Sequence, residues 1–161
     1  MTPPTDDTDR QVDELVEVAL PAVRVIVGVV MRSLDASPVP VTVAQYRMLA
    51  TMAQLGPTRS ATLAGLLDVD ASTITRMSDR LVRDGLVVRR TERGDRRAVR
   101  IALSAKGTQV VEAVAARRRD EFASLLRAIP ASKRARVVAA LEEIEAANAA
   151  LPAAPAKGWI A

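Results

Sequence analysis

Ser72, Thr73 and Thr75 stand just ahead of Arg76, Arg80 and Arg83. Hydroxyls both donate and accept hydrogen bonds, and a guanidinium forks onto phosphate or onto the O6/N7 edge of guanine. A second cluster follows about ten residues later: Arg93, Asp95, Arg96 and Arg97 around Gly94. Arg59 lies upstream of both. Between Thr58 and Arg100 ten arginines meet six acids, a surplus equal to the formal net charge of the whole chain, +4. The sequence pI is about 10.3. Positive charge concentrated in one middle segment suits a polyanionic partner.

Other chemistries are closed. The chain has no Cys and no His, which excludes disulfides, thiol sensing of peroxides, Cys/His metal sites and imidazole acid–base catalysis. No metal or cofactor is expected. Glu142, Glu143 and Glu145 cluster near the end, but no nucleophile, base or glycine-rich phosphate loop accompanies them. They read as a solvated helix face, so the chain is not read as an enzyme. Aromatic residues make up only 2% and hydrophobic residues 49%. The core must therefore be aliphatic, which favours helices.

The elements that position the arginines follow from period and punctuation. Residues 1–9 read as a disordered acidic tail. From Arg10 to about Leu34 apolar residues recur at helical spacing, with Pro21 marking a kink or a helix start. Glu17, Arg24 and Arg32 in this stretch argue against a membrane span, and the acidic start is unlike a signal peptide, so a cytoplasmic location is expected. Thr42 caps a helix over 43–55, ended by Gly56-Pro57. A short helix covers 61–67, Asp68-Val69 turns, and Asp70 caps a helix over 71–84 that Gly85 stops. Two β-prone runs, 86–91 and 98–103, flank the charged Gly94 turn as a hairpin. Ser104 caps a helix to about Ile129, Pro130 ends it, and Ser132 caps a last helix to about Ala149. The tail from Leu151 is expected to be loose.

The pair 61–67 and 71–84 has helix-turn-helix spacing. In the second helix Ile74, Met77, Leu81 and Val82 share one face, and the hydroxyls and arginines occupy the other. An ordinary amphipathic helix with a solvated polar face would show the same division. The arginine-rich hairpin close behind it favours DNA, because such a loop fits the minor groove, whose negative potential attracts Arg.

In order, these motifs resemble the multiple-antibiotic-resistance regulator (MarR) family over Val41–Gly107. Val41-Thr42-Val43-Ala44-Gln45-Tyr46-Arg47-Met48-Leu49 is similar to its helix ahead of the DNA reader. Asp70 to Arg76 resembles its recognition-helix start, and Leu81-Val82-Arg83-Asp84-Gly85-Leu86-Val87 its exit into the wing. Asp95-Arg96-Arg97 followed by Leu103-Ser104-Ala105-Lys106-Gly107 fits the wing signature. Asp68 departs from the Gly often found there, although Asp tolerates the left-handed conformation.

The resemblance implies a mainly α fold with a small β-hairpin wing: a winged helix-turn-helix over 37–107 and a helical dimerisation lobe from 10–36 and 108–150. It implies a homodimeric repressor on double-stranded DNA at a near-palindromic operator. The contacts would come from Arg59, Ser72, Thr73, Thr75, Arg76, Arg80, Arg93, Asp95, Arg96 and Arg97, with Arg97 in the minor groove and Asp95 orienting the wing arginines. It further implies a small aromatic or phenolic effector near Val29, Arg32, Tyr46, Arg47 and Met52. The surplus of apolar positions on the first and last helices independently points to dimerisation.

Overall fold

The computed structural model describes residues 5–92 and 95–151, and only the backbone of residues 5, 6, 91, 92 and 95–98. The order is α1 (Thr5–Ser33), a single 3-10 turn (Leu34–Ala36), α2 (Val43–Leu55), α3 (Ser60–Leu67), α4 (Ala71–Arg83), β1 (Val87–Glu92), β2 (Asp95–Leu103), α5 (Ala105–Ala128) and α6 (Ala131–Ala150). It is the expected winged helix-turn-helix with a helical lobe.

Local chemistry sets most boundaries. The Thr42 hydroxyl accepts from the Gln45 amide at 3.2 Å, and the Gln45 side chain accepts from the Thr42 amide at 2.8 Å. This capping box satisfies two of the donors that a helix start leaves over. Gly56 ends α2 at φ 71° and Gly85 follows α4 at φ 73°. Asp68 takes φ 51°, ψ 54° between α3 and α4, as expected for the turn. The Val69 amide closes that turn on the Ala64 carbonyl at 3.1 Å.

Three expectations need correction. The first helix starts at Thr5 rather than at Arg10. Acids near a helix N-terminus complement its dipole, and Asp7 pairs with Arg10 one turn on at 3.1 Å. Pro21 lies inside α1 and starts no helix; its missing N–H removes the bond to the Glu17 carbonyl. Ser132 does not cap α6, which begins at Ala131 behind Pro130. The Arg134 guanidinium organises that corner instead. It donates to the carbonyls of Leu126 (3.0 Å), Arg127 (3.0 Å) and Ile129 (2.9 Å), acceptors that the end of α5 leaves over.

The core sits among α2–α5 and the base of the hairpin. Met48, Leu49, Leu63, Ile74, Leu81, Val110 and Val114 are fully buried there. β1 and β2 pair antiparallel from Val87↔Leu103 to Glu92↔Asp95. Thr58 adds one further bridge, exchanging amide–carbonyl bonds with Ile101 at 2.9 and 2.8 Å. The loop ahead of α3 is thereby tied to the wing. Outside this core, α1 and α6 leave apolar side chains in the open, Val18 and Ile144 among them. No helix among the described residues is long and apolar enough to cross a membrane.

Candidate nucleic-acid interface

Helix α4 divides by face much as its sequence suggests. Ile74 and Leu81 are buried, and Met77 and Val82 pack partly against the same core. Ser78 is also buried, its hydroxyl returned to the Ile74 carbonyl at 2.6 Å. Among the described residues, no buried side-chain polar atom lacks a hydrogen bond. Opposite, Ser72, Thr75, Arg76, Arg80 and Arg83 are exposed and Thr73 is half-buried. The Thr75 hydroxyl donates to the Ala71 carbonyl at 2.9 Å, which leaves its oxygen to accept. Asp70 occupies the cap position, but its side chain makes no capping hydrogen bond. The Asp70 carbonyl does the work, accepting from Thr73 at 2.9 Å and Ile74 at 3.1 Å. The first amides of α4 therefore have no acceptor within the helix.

Between the start of α2 and this face runs an open cleft of about 520 Å³. Arg76, Asp79, Arg80 and Arg83 line it with Thr42, Gln45, Thr73 and Met77. Arg76, Arg80 and Arg83 have no intramolecular hydrogen-bond or ion-pair partner among the described residues. Asp79 does have one: it pairs across to Arg89 of β1, with both side chains about half exposed. Arg59 is exposed at the residue preceding α3. Arg100 of β2 donates to the Pro57 carbonyl at 3.2 Å. Arg93 lies outside the described residues, as do the side chains of Asp95, Arg96 and Arg97. Of the last three, the backbone runs in β2.

The Leu-Ser-x-x-Gly stretch acquires a physical reason. The Ser104 hydroxyl accepts from the Gly107 amide at 3.0 Å and donates to the Gly85 carbonyl at 2.6 Å. The Ser104 amide meets the Leu86 carbonyl at 3.0 Å, and Lys106 reaches the Asp84 carbonyl at 2.9 Å. A Cβ on residue 107 would lie 2.0 Å from the Leu86 carbonyl oxygen, so only glycine fits. This knot clamps the start of α5 to the turn between α4 and β1. It holds the arginine face and the hairpin on one base.

The residues expected to hold an effector do not form one pocket. Val29 and Arg32 line a cleft of about 300 Å³ completed by α5 residues Glu121, Ser124, Leu125 and Ala128. Arg32 was expected to hold a carboxylate, and here it holds that of Glu121 at 2.9 Å. Arg117 takes the other oxygen at 2.9 Å. Burial pushes the Glu121 carboxyl up, but hydrogen bonds and charge from Arg32 and Arg117 outweigh it and leave the group below its usual range. Tyr46 and Met52 are core residues, and Arg47 beside them is half-buried. The Arg118 guanidinium covers the Tyr46 ring, 5.3 Å from its centre.

This geometry has relatives. The MarR family profile matches residues 41–99, the span from the capping box into the second strand of the hairpin. The crystal structure of RV1404 from Mycobacterium tuberculosis superposes with a TM-score of 0.79 at 34% identity, covering 84% of this chain and 93% of that one. The chain belongs to the MarR family. The multiple antibiotic resistance protein MarR of Escherichia coli is 34% identical over 76 residues, 47% of this chain and 53% of that protein. The HTH-type transcriptional regulator YhbI of Bacillus subtilis is 36% identical over 78 residues, 48% of this chain and 51% of that protein. The chain thus spans about half the length of the curated relatives it matches. In this MarR-family chain, sequence reasoning overlooked the Asp79–Arg89 pair. The signal was present: an acid among arginines on the exposed helix face, ten residues ahead of an arginine on the following strand.

Proposed function

We propose that the chain is a sequence-specific DNA-binding transcriptional regulator, a repressor that holds a near-palindromic operator as a homodimer and releases it to a small effector. The face of α4 carries this reading. It offers three guanidiniums without a partner among the described residues, beside hydroxyls on a helix clamped to a hairpin. A helix so arranged enters a major groove, with Arg forking onto guanine and hydroxyls meeting phosphate or base edges. Arg59, Arg93, Asp95, Arg96 and Arg97 complete the proposed contact set from the flanking loop and the wing.

The homodimer is supported by the two apolar helices. Leu15, Val18 and Leu20 on α1 and Leu141 and Ile144 on α6 are about half exposed or more, and apolar side chains clustered in the open are what an interface with a second copy covers. In this reading residues 10–36 and 108–150 form the dimerisation lobe and residues 37–107 the DNA-binding lobe. A twofold axis between them sets two recognition helices about 34 Å apart, one turn of DNA. An aromatic or phenolic carboxylate entering beside Val29 competes with Glu121 for Arg32, and Tyr46, Arg47 and Met52 carry the change toward α2. A mobility-shift and footprinting experiment on the DNA upstream of the gene tests the core of the proposal. The expected result is a salt-sensitive complex with a twofold-symmetric footprint. A dimer that shifts neither this DNA nor any duplex selected from a random pool would sink it.

A further inference from the structure

Asp79 is the odd member of the interface. It lines the same cleft as Arg76, Arg80 and Arg83. Two of these lie at helix spacings where acid–base pairs form readily: Arg76 at i−3 and Arg83 at i+4. Asp79 pairs with neither. Its carboxylate reaches off the helix to the Arg89 guanidinium on β1. The result sorts the local charges: three helix arginines remain without a partner among the described residues, and the strand arginine is neutralised.

We propose that Asp79 sets the strength of the sequence-blind part of DNA binding, by withholding Arg89 from the phosphate backbone. The inference rests on the DNA-binding reading above. Each phosphate contact adds affinity for every sequence alike and steepens the salt dependence, so a fourth available guanidinium strengthens binding to wrong DNA as much as to right. Discrimination is a difference of binding free energies, so a contact that adds equally to both leaves it unchanged and instead raises the hold on all DNA, bulk DNA included. The pair is half exposed, so its contribution to folding stability is small. Its effect is on affinity and salt dependence, and it leaves the ratio between operator and bulk DNA as it is. The same logic fixes the reverse case. If Arg89 is removed, the Asp79 carboxylate stays unpaired on a surface that meets phosphates, and repulsion weakens all complexes.

The test compares the full-length chain with D79N, R89Q and the double variant. The probes are a duplex selected by the wild-type protein from a random pool and a scrambled duplex of the same composition. Binding is titrated at four salt concentrations. In D79N, affinity for both duplexes should rise by a similar factor, the salt slope should steepen by about one for each half-site engaged, and the ratio of selected to scrambled affinity should stay unchanged. R89Q should weaken both duplexes, and the double variant should recover most of that loss. D79E, which keeps the charge, should behave as wild type. Thermal midpoints should stay within a few degrees throughout, separating these effects from misfolding. Equal weakening of both duplexes by D79N, with the slope unchanged, would make the pair a mere brace and overturn the proposal. No change in any variant would overturn it as well. Whether the wild type selects a duplex at all decides the DNA-binding reading. The variants then decide the role of Asp79 within it.

Discussion

Leu81 of α4 and Ile144 of α6 are both aliphatic, both on helices, and treated in opposite ways. Leu81 is fully buried among side chains of its own chain, whereas Ile144 is 66% exposed. The contrast extends to whole regions. From the capping box to the Ser104 knot, loops and helix ends are tied to one another through Thr42–Gln45, Thr58–Ile101 and Gly85–Ser104. The second region, α1 and α6, presents long apolar stripes to open space. The first can complete its core alone; the second needs something to cover it. In the proposed function, affinity for DNA and assembly are therefore separable properties, assigned to different parts of one short chain.

The largest expected effect tests this contrast directly. Leu81→Ala should cost about 2–5 kcal/mol, as large-to-small changes in full cores do, and the loss should be the same at every protein concentration. Ile144→Glu should leave the winged lobe folded but shift the protein from dimer to monomer, with a thermal midpoint that falls on dilution. Analytical ultracentrifugation and thermal melts over a hundredfold concentration range distinguish the two. If Ile144→Glu remains dimeric with an unshifted midpoint, α6 is not part of the interface and the contrast between the regions loses its meaning.

The two regions were also unequally legible. In the winged lobe each residue type is forced by local chemistry: Thr42 and Ser104 by caps, Gly85 by a positive φ, Gly107 by the Leu86 carbonyl. The caps and the positive φ act over a few residues, so the sequence states them openly, whereas the Gly107 contact reaches back to Leu86 and was legible only as part of a family motif. The misreadings fall where a distant or competing group decides. Ser132 has the chemistry of a cap, but the α5–α6 corner is held by Arg134, whose reach across the helix break at Pro130 leaves no pattern in spacing. Spacing also could not show that Arg32 is held by Glu121, 89 residues away, or that Tyr46 packs in the core. Long-range pairing of charges is chosen by the fold after its core forms, and a linear pattern records only that the charges exist.

A smaller effect sharpens the view of the winged lobe. Arg76 lies one turn into α4, within reach of base edges in the proposed complex, whereas Arg97 belongs to the wing, where the minor groove offers a degenerate pattern. Arg76→Ala should cost about 1–3 kcal/mol per site and relax base choice at one position in each half-site. Arg97→Ala should weaken most sequences alike and flatten the salt dependence. Affinities over a panel of operator variants at two salt concentrations separate them. If Arg76→Ala weakens every variant equally, Arg76 clamps phosphate and base reading belongs to Ser72, Thr73, Thr75 or Arg80.

The smallest effect lies at the seam between the regions, where Arg32 of α1 and Arg117 of α5 share the Glu121 carboxylate. Glu121 is 14% exposed on its side chain, while both arginines are more than half exposed, so solvent screens much of the attraction. Its carboxyl nevertheless titrates below the usual value of 4.5, because the two guanidiniums outweigh the effect of burial. The sign follows from linkage. An acid whose folded pKa is depressed binds fewer protons when folded than when unfolded across the interval between the two values. Its contribution to stability is thus complete above the ordinary carboxyl range and is lost as pH falls through the depressed folded value. Urea midpoints of the wild type and Glu121→Gln, measured at one protein concentration from about pH 7 down to about pH 3, isolate the term, since the other carboxylates titrate in both. The wild-type advantage should be constant near neutrality and shrink only in acid. An advantage that stays level to the lowest pH would show that Glu121 joins α1 to α5 by shape rather than by charge.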